Sequence, residues 1–304
     1  MTLFDRYVVV DWSAASRPTT GADSIWVAVL DGAGSPELVN PPTRSAARTL
    51  LVRDPDRRTL LAVDASLGYP TGSAAWFGLD GRPPWRAMWG IISQLLIDGD
   101  DNRNNRFEVA EALNRLGGVG DVGRDSTVAG PFWGRPASRD LAHLAPTKPD
   151  SFPVGEFRAC ESMMRDRGLR PASGWQLLGA GSVGSQTLTL LPVLDALLAG
   201  GGVEVWPFTT GPTARPIAPG ELLVAETWPT MFAVDVPVGT VRDAAQVAAV
   251  SVALRDADHD GELNGWFEID VDGPGTSAVV GEEGWILGPP HIAGRRVRYC
   301  GSGG

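Results

Sequence analysis

Three residue types are scarce in this chain, and each scarcity closes off a class of function. There are only two cysteines, Cys160 and Cys300, with neither metal nor redox spacing. A disulfide-stapled secreted scaffold is therefore not expected, and a reducing, cytoplasmic compartment is the simpler expectation. The three histidines, His143, His259 and His291, complete no ligand set, which argues against zinc. Lysine is represented by Lys148 alone among 26 basic residues, and against 36 acids the formal charge is -10. A protein that grips long nucleic acid through its phosphates usually carries a basic surface, so tight bulk binding of that kind is not expected. No run approaches the roughly 18 apolar residues of a membrane span, so no membrane partner is expected. The opening MTLFDRYVVVDWS places an acid and a base before a short apolar run and reads as a strand, not a signal peptide.

What is present is an α/β pattern. Tyr7 to Val10 is an apolar strand that closes on Asp11. Asp23 to Gly32 is a β-prone run ending on an Asp-Gly turn, and PELVNPP offers a third, edge-like strand, so the three read as an antiparallel meander. Arg44 to Asp54 reads as a helix with Thr43 as N-cap. Thr59 to Val63 is a buried-type strand closing on Asp64. The chain from about 85 to 150 looks like a large insertion or cap, with helices at Trp85–Ile97 and Arg106–Leu116, a polar DGDDNRNN between them, and a Gly/Pro/Arg-rich stretch after them. A helix at Glu156–Arg167, a strand-like WQLL, a glycine turn and a long apolar helix follow. Strands at VEVWPF and ELLVAETWP, a helix at Thr240–Asp258 capped by Thr240, and a short strand in EEGWILGPP complete the pattern. Residues 1–290 are expected to form one domain, with 291–304 a loose tail.

Four acids stand out by placement. Asp11, Asp64 and Glu226 fall at the C-terminal ends of expected strands, and Asp243 falls in the first turn of a helix. Ligands of open α/β sheets bind in the crevice beyond the strand ends. Carboxylates gathered there repel one another unless a cation neutralises them, and Mg²⁺ or Mn²⁺ accepts such oxygen ligands. A turn acid or a helix-dipole acid is the plainer reading of any one of them alone.

The segments YVVVDWS, LLAVDASLGYP, EFRACE, VAETWP and the VRDAAQVAAV helix together resemble the ribonuclease H-like superfamily. More closely they are similar to a bacterial family of unknown function with a nuclease-type version of that fold. The resemblance implies a mixed sheet with flanking helices, and divalent metal held by Asp11, Asp64 and Asp243. It also sets Glu226, followed by Trp228 and Pro229, beside them as a ligand or proton acceptor. Many nuclease members carry a second acid or a histidine beside the last helical acid; this helix offers Gln246 instead.

The expectation is therefore a metal-dependent hydrolase acting on a phosphate-containing small molecule or short nucleic acid. Arg17 and Arg158 are candidate phosphate contacts, because guanidinium matches phosphate in a forked geometry. Arg103, Arg106, Arg124, Arg135 and Arg139 populate the insertion, where solvated surface arginines are the bland alternative. Trp133 is a candidate stacking residue, against the plainer reading of a loop anchor. Gly179, Gly181 and Gly184 spell GxGxxG ahead of a helix, the outline of a dinucleotide-binding turn. The plainer reading is a tight helix entry beside the site, whose amides could bind an anion. A non-catalytic binding or scaffold protein and a small-molecule phosphotransferase or dinucleotide-binding enzyme are the alternatives to the hydrolase.

Overall fold

A computed structural model describes residues 2–118, 130–179, 181–234, 236–269, 271, 274–289 and 296–297. In chain order the elements are β1 (Arg6–Asp11), β2 (Trp26–Asp31), β3 (Glu37–Val39), α1 (Arg44–Arg48), β4 (Thr59–Asp64), α2 (Ser73–Trp76), α3 (Pro84–Leu95) and α4 (Arg106–Leu116). They continue with α5 (Ala159–Asp166), α6 (Val183–Ala199), β5 (Val203–Val205), β6 (Leu222–Thr227), β7 (Ala233–Val234) and α7 (Arg242–His259). The last are α8 (Leu263–Trp266), α9 (Pro274–Ala278), a π turn at Val279–Glu283, β8 (Ile286–Leu287) and β9 (Arg296–Val297).

Seven strands form one mixed sheet in the order β3-β2-β1-β4-β6-β5, and β8 also pairs β6. The meander β1-β2-β3 is antiparallel, while β1, β4 and β6 run parallel side by side. The central strands read as continuous apolar runs because both faces are covered. Val8 and Val10 of β1, Leu61 and Val63 of β4, and Leu222 and Val224 of β6 pack into one core with α3, α4 and α6. Tyr7 and Val9, Leu60 and Ala62, and Leu223 and Ala225 face the other core, built with α7 and α8. The alternation follows from the period of two along a strand.

The structure corrects several expectations. The described part of segment 85–150, expected as a large insertion or cap, contributes side chains to the core. Trp85, Trp89, Phe107, Leu113, Phe132 and Leu144 belong to the core of the α6 face. The helix after Thr43 is shorter than Arg44–Asp54, although Thr43 does cap it, its Oγ1 accepting from the Ala46 N–H at 3.1 Å. Helix α7 is preceded by Val241 and has no side-chain cap, so Thr240 does not serve as one. WQLL is not a strand; Gln176 makes only an isolated bridge to Trp133. Of the expected loose tail, Arg296 and Val297 pair with β7; its remaining residues, with His291 and Cys300, lie outside the described residues. No described helix is long and apolar enough to cross a membrane.

Candidate functional site

The parallel register places the site. Asp11 and Asp64 are direct register partners at the last positions of β1 and β4. Adjacent strands lie about 4.8 Å apart, so two carboxylates leave the sheet side by side. Each continues the face that carries Tyr7 and Val9 or Leu60 and Ala62, the face on which α7 packs against β1. Helix α7 is moored at its far end by buried Asp258, which accepts from the Leu3 and Phe4 N–H groups and from Tyr7 Oη at 2.6 Å. At its near end Asp243 accepts from the Asp23 N–H at 2.8 Å. The helix that carries Asp243 is thus tied at its far end to β1, which carries Asp11, and at its near end to the turn before β2.

Electrostatics follow from this crowding. Burial, then Asp243 and Asp23, pushes the Asp11 carboxyl up to about 7. Burial, then Asp11, Glu226 and Asp243, holds Asp64 well above the usual carboxylate range. Two such groups share protons instead of both ionising. Among the described residues no group of three or more His, Cys, Asp or Glu stands ready to hold a metal ion.

Glu226 belongs to a different arrangement. It aligns with Val63, not with Asp64, and continues the face of Leu222 and Val224. Its two oxygens accept from Arg158 Nη2 at 2.6 Å and Nη1 at 2.7 Å, and one also accepts from the Leu67 N–H. Burial raises Glu226, and Arg158 pulls it back. Arg158 is 1% exposed and also binds Glu161, Ser66 Oγ and the Glu283 carbonyl. It locks the sheet end together and presents nothing to a ligand. The pairing leaves Glu226 no free role as a proton acceptor in this geometry.

A cleft opens beyond the strand ends in two lobes that share Gly181 and Gln186. The larger, about 620 Å³, is lined by Asp11, Asp23, Asp243, Arg106 and the head of α6. The smaller, about 210 Å³, is lined by Asp64, Glu226 and a more apolar wall that includes Trp228. Arg17 is exposed and Trp133 is half-buried against the core of the α6 face; neither lines the cleft. Arg124 lies outside the described residues.

Two contributors escape a reading of the sequence. Asp23 looks like the start of a strand, yet it sits in a turn at φ 55°, a left-handed conformation that Asp tolerates better than most residues. Only that turn aims its N–H at Asp243. Arg44 is fully buried and donates to Asp98 at 2.6 and 2.8 Å and to the carbonyls of Ser13 and Ala15. The polar DGDDNRNN stretch is therefore a seat for Arg44, which holds the loop leaving Asp11.

The glycine turn does border the cleft, through Gly179 and Gly181 at positive φ. Gly184 is there for packing. A Cβ on it would stand 2.5 Å from the Gly174 carbonyl oxygen and 2.8 Å from that of Gln176. Gly184→Ala is expected to cost about 1–3 kcal/mol, because backbone must move to admit the methyl; urea unfolding measures it, and an unchanged midpoint would refute the packing role. With no strand before the turn, the strand–turn–helix unit of a dinucleotide site is missing. Comparison with protein-family models, with curated proteins and with solved structures found no match to this chain.

Proposed function

We propose that this chain is a divalent-metal-dependent hydrolase of phosphate esters, phosphodiesters among them, on a ribonuclease H-like sheet. The observation that carries the reading is the register pairing of Asp11 with Asp64 at the open end of two parallel strands. Both acids lie at the cleft, and both are pushed up, Asp11 by burial and then Asp243 and Asp23, Asp64 by burial and then Asp11, as unneutralised carboxylates would be. The sheet is mixed, with an antiparallel β1-β2-β3 meander beside parallel β4 and β6, and this supports the reading.

The donor set suits a small, hard cation held by few protein oxygens. Mg²⁺ commonly binds through one or two carboxylates plus substrate phosphates and keeps several waters, so a third carboxylate in contact is not required. Asp11 and Asp64 would hold it, and it would supply charge stabilisation at phosphorus and a more acidic water. Asp243 adds negative charge beside Asp11, its position set by the Asp23 N–H. Arg158 opposes the burial that raises Glu226 and holds its carboxylate in place, which maintains the strand ends around the acids.

Short single-stranded DNA and RNA, together with a chromogenic phosphodiester, should be cleaved in millimolar Mn²⁺ or Mg²⁺ and not in chelator. Asp64→Asn should lower the rate roughly a thousandfold, the scale on which a positioned charge acts in a transition state. Cleavage that persists in chelator, or in the variant, would sink the proposal. Gln246, where a second helical acid would strengthen a metal site, favours a second reading, a non-catalytic binding protein that kept the fold. That reading predicts no Mn²⁺ binding by calorimetry.

A further inference from the structure

The two lobes of the cleft differ in chemistry, and the difference constrains the ligand. Arg106 is the only cation among the described residues of the larger lobe. Its Nε donates to Ser185 Oγ at 2.9 Å, and its Nη1 to Ser16 Oγ and Asn104 Oδ1, both at 2.9 Å. All three acceptors are neutral. Its Nη2 donates to no described residue, and no described carboxylate pairs with it. The Phe107 ring lies 4.4 Å from the guanidinium carbon. Burial, then the like charges of Arg44 and Arg139, bring Arg106 down to about 10, and the more distant carboxylates of Glu108 and Asp98 offset this only in part. A guanidinium fixed by neutral oxygens on two sides, with its remaining edge unmatched, is preorganised for a phosphate oxygen. The head of the long helix α6, at Ser182, lines the same lobe and adds its dipole in the same sense.

The smaller lobe is closed by Trp228, Pro171, Ala172, Val183 and Ile286. That wall suits a flat apolar ring, with a half-buried indole to stack on it. Together the lobes are of a size with small-molecule sites, about 300–1,000 Å³, which fits one nucleotide unit better than a duplex.

We propose that the cleft recognises a nucleoside phosphate moiety, its phosphate oxygens on Arg106 and its base against Trp228, with Asp11 and Asp64 at the seam between. The position of the reacting phosphorus rests on the hydrolase reading; the two anchor points do not.

Calorimetric titration of the full chain with ADP, adenosine and inorganic pyrophosphate in Mg²⁺ tests it. ADP should bind more tightly than either fragment. Arg106→Gln should weaken ADP and pyrophosphate about tenfold or more, the scale of a charge-assisted hydrogen bond, and leave adenosine unchanged. Trp228→Ala should weaken ADP and adenosine and leave pyrophosphate unchanged. Arg106→Lys should recover part of the phosphate binding at the same urea midpoint as Arg106→Gln, which a purely structural role would not produce. Failure of wild type to bind ADP at millimolar concentration, or equal weakening of all three ligands by Arg106→Gln, would overturn the assignment. If the binding pattern holds and no ester is cleaved, the hydrolase reading fails and this one stands. If esters are cleaved and Arg106→Gln leaves KM untouched, this one fails alone.

Discussion

Arg158→Met should destabilise the protein by about 3–5 kcal/mol, the usual penalty for removing one partner of a buried ion pair. The size follows from what the guanidinium holds. Arg158 is 1% exposed, and its partners come from four separate segments: Glu161 of α5, Glu226 of β6, Ser66 after β4 and the Glu283 carbonyl of the π turn. Methionine fills much of the volume but leaves Glu161 and Glu226 buried and facing each other. The deficit should depend on pH, with a definite sign. Burial already raises Glu226 in the wild type; without Arg158 its folded carboxyl rises further above the unfolded value. A carboxyl with a raised folded pKa loses stability as pH climbs from its unfolded pKa toward its folded one. The gap between variant and wild type should therefore be smaller near pH 4.5 than near pH 8. Denaturant unfolding at the two values reads it, and Arg158→Met with Glu226→Gln should recover part of the loss. A deficit under about 1 kcal/mol at pH 8 would mean that the cluster does not hold the sheet end together.

Much of this site was legible before the structure, because it depends on where strands stop. An apolar run that closes on an acid marks a strand end, and Asp11, Asp64 and Glu226 do lie at or next to the ends of β1, β4 and β6. The same logic could have separated Glu226 from the pair: counting by two from Leu222 through Val224 puts it on that face. What the sequence withheld was register. That Asp11 meets Asp64 while Glu226 meets Val63 is a property of pairing between strands far apart in the chain. Arg158 reads from the sequence as a candidate phosphate contact, but its side chain turns inward; whether an arginine beside two glutamates faces water or core is decided by tertiary packing. Segment 85–150 shows the same dependence on packing. Its Gly and Pro content suggests an insertion or cap, and the structure adds that the tryptophans at 85 and 89 and Phe132 pack into the core. Asp23 left no signal at all, because its contribution is a backbone N–H aimed by a left-handed turn.

Asp11→Asn should reverse the protein's response to pH and to metal, and this separates a working acid pair from a structural one. Asp11 is raised to about 7 against an ordinary 3.8. Between those values the folded state holds a proton that the unfolded chain has released, so wild-type stability in chelator should fall as pH rises from about 4 to 7 and level off above. Three pKa units correspond to about 4 kcal/mol at most. Asp11 is half-buried and borders an open lobe of the cleft, so water and salt reduce the figure, and about 2 kcal/mol is the expected gain for asparagine at pH 8. Asparagine keeps the shape and removes the charge, so Asp64 should also titrate closer to its ordinary range once its neighbour no longer repels it. Adding Mg²⁺ or Mn²⁺ should invert the ranking. An ion that binds only the folded wild type stabilises it by RT ln(1 + [L]/Kd), about 2.7 kcal/mol at a hundredfold excess over Kd, and the variant should gain little. Thermal unfolding of both proteins at pH 5 and pH 8, in chelator and in Mn²⁺, gives the complete pattern. A crossover, with the variant ahead in chelator and behind in metal, is what a cation-dependent carboxylate pair requires. A variant that stays ahead in both would show that the repulsion is real and that no ion relieves it, which is the outcome expected of a binding protein that has kept the strands and lost the chemistry.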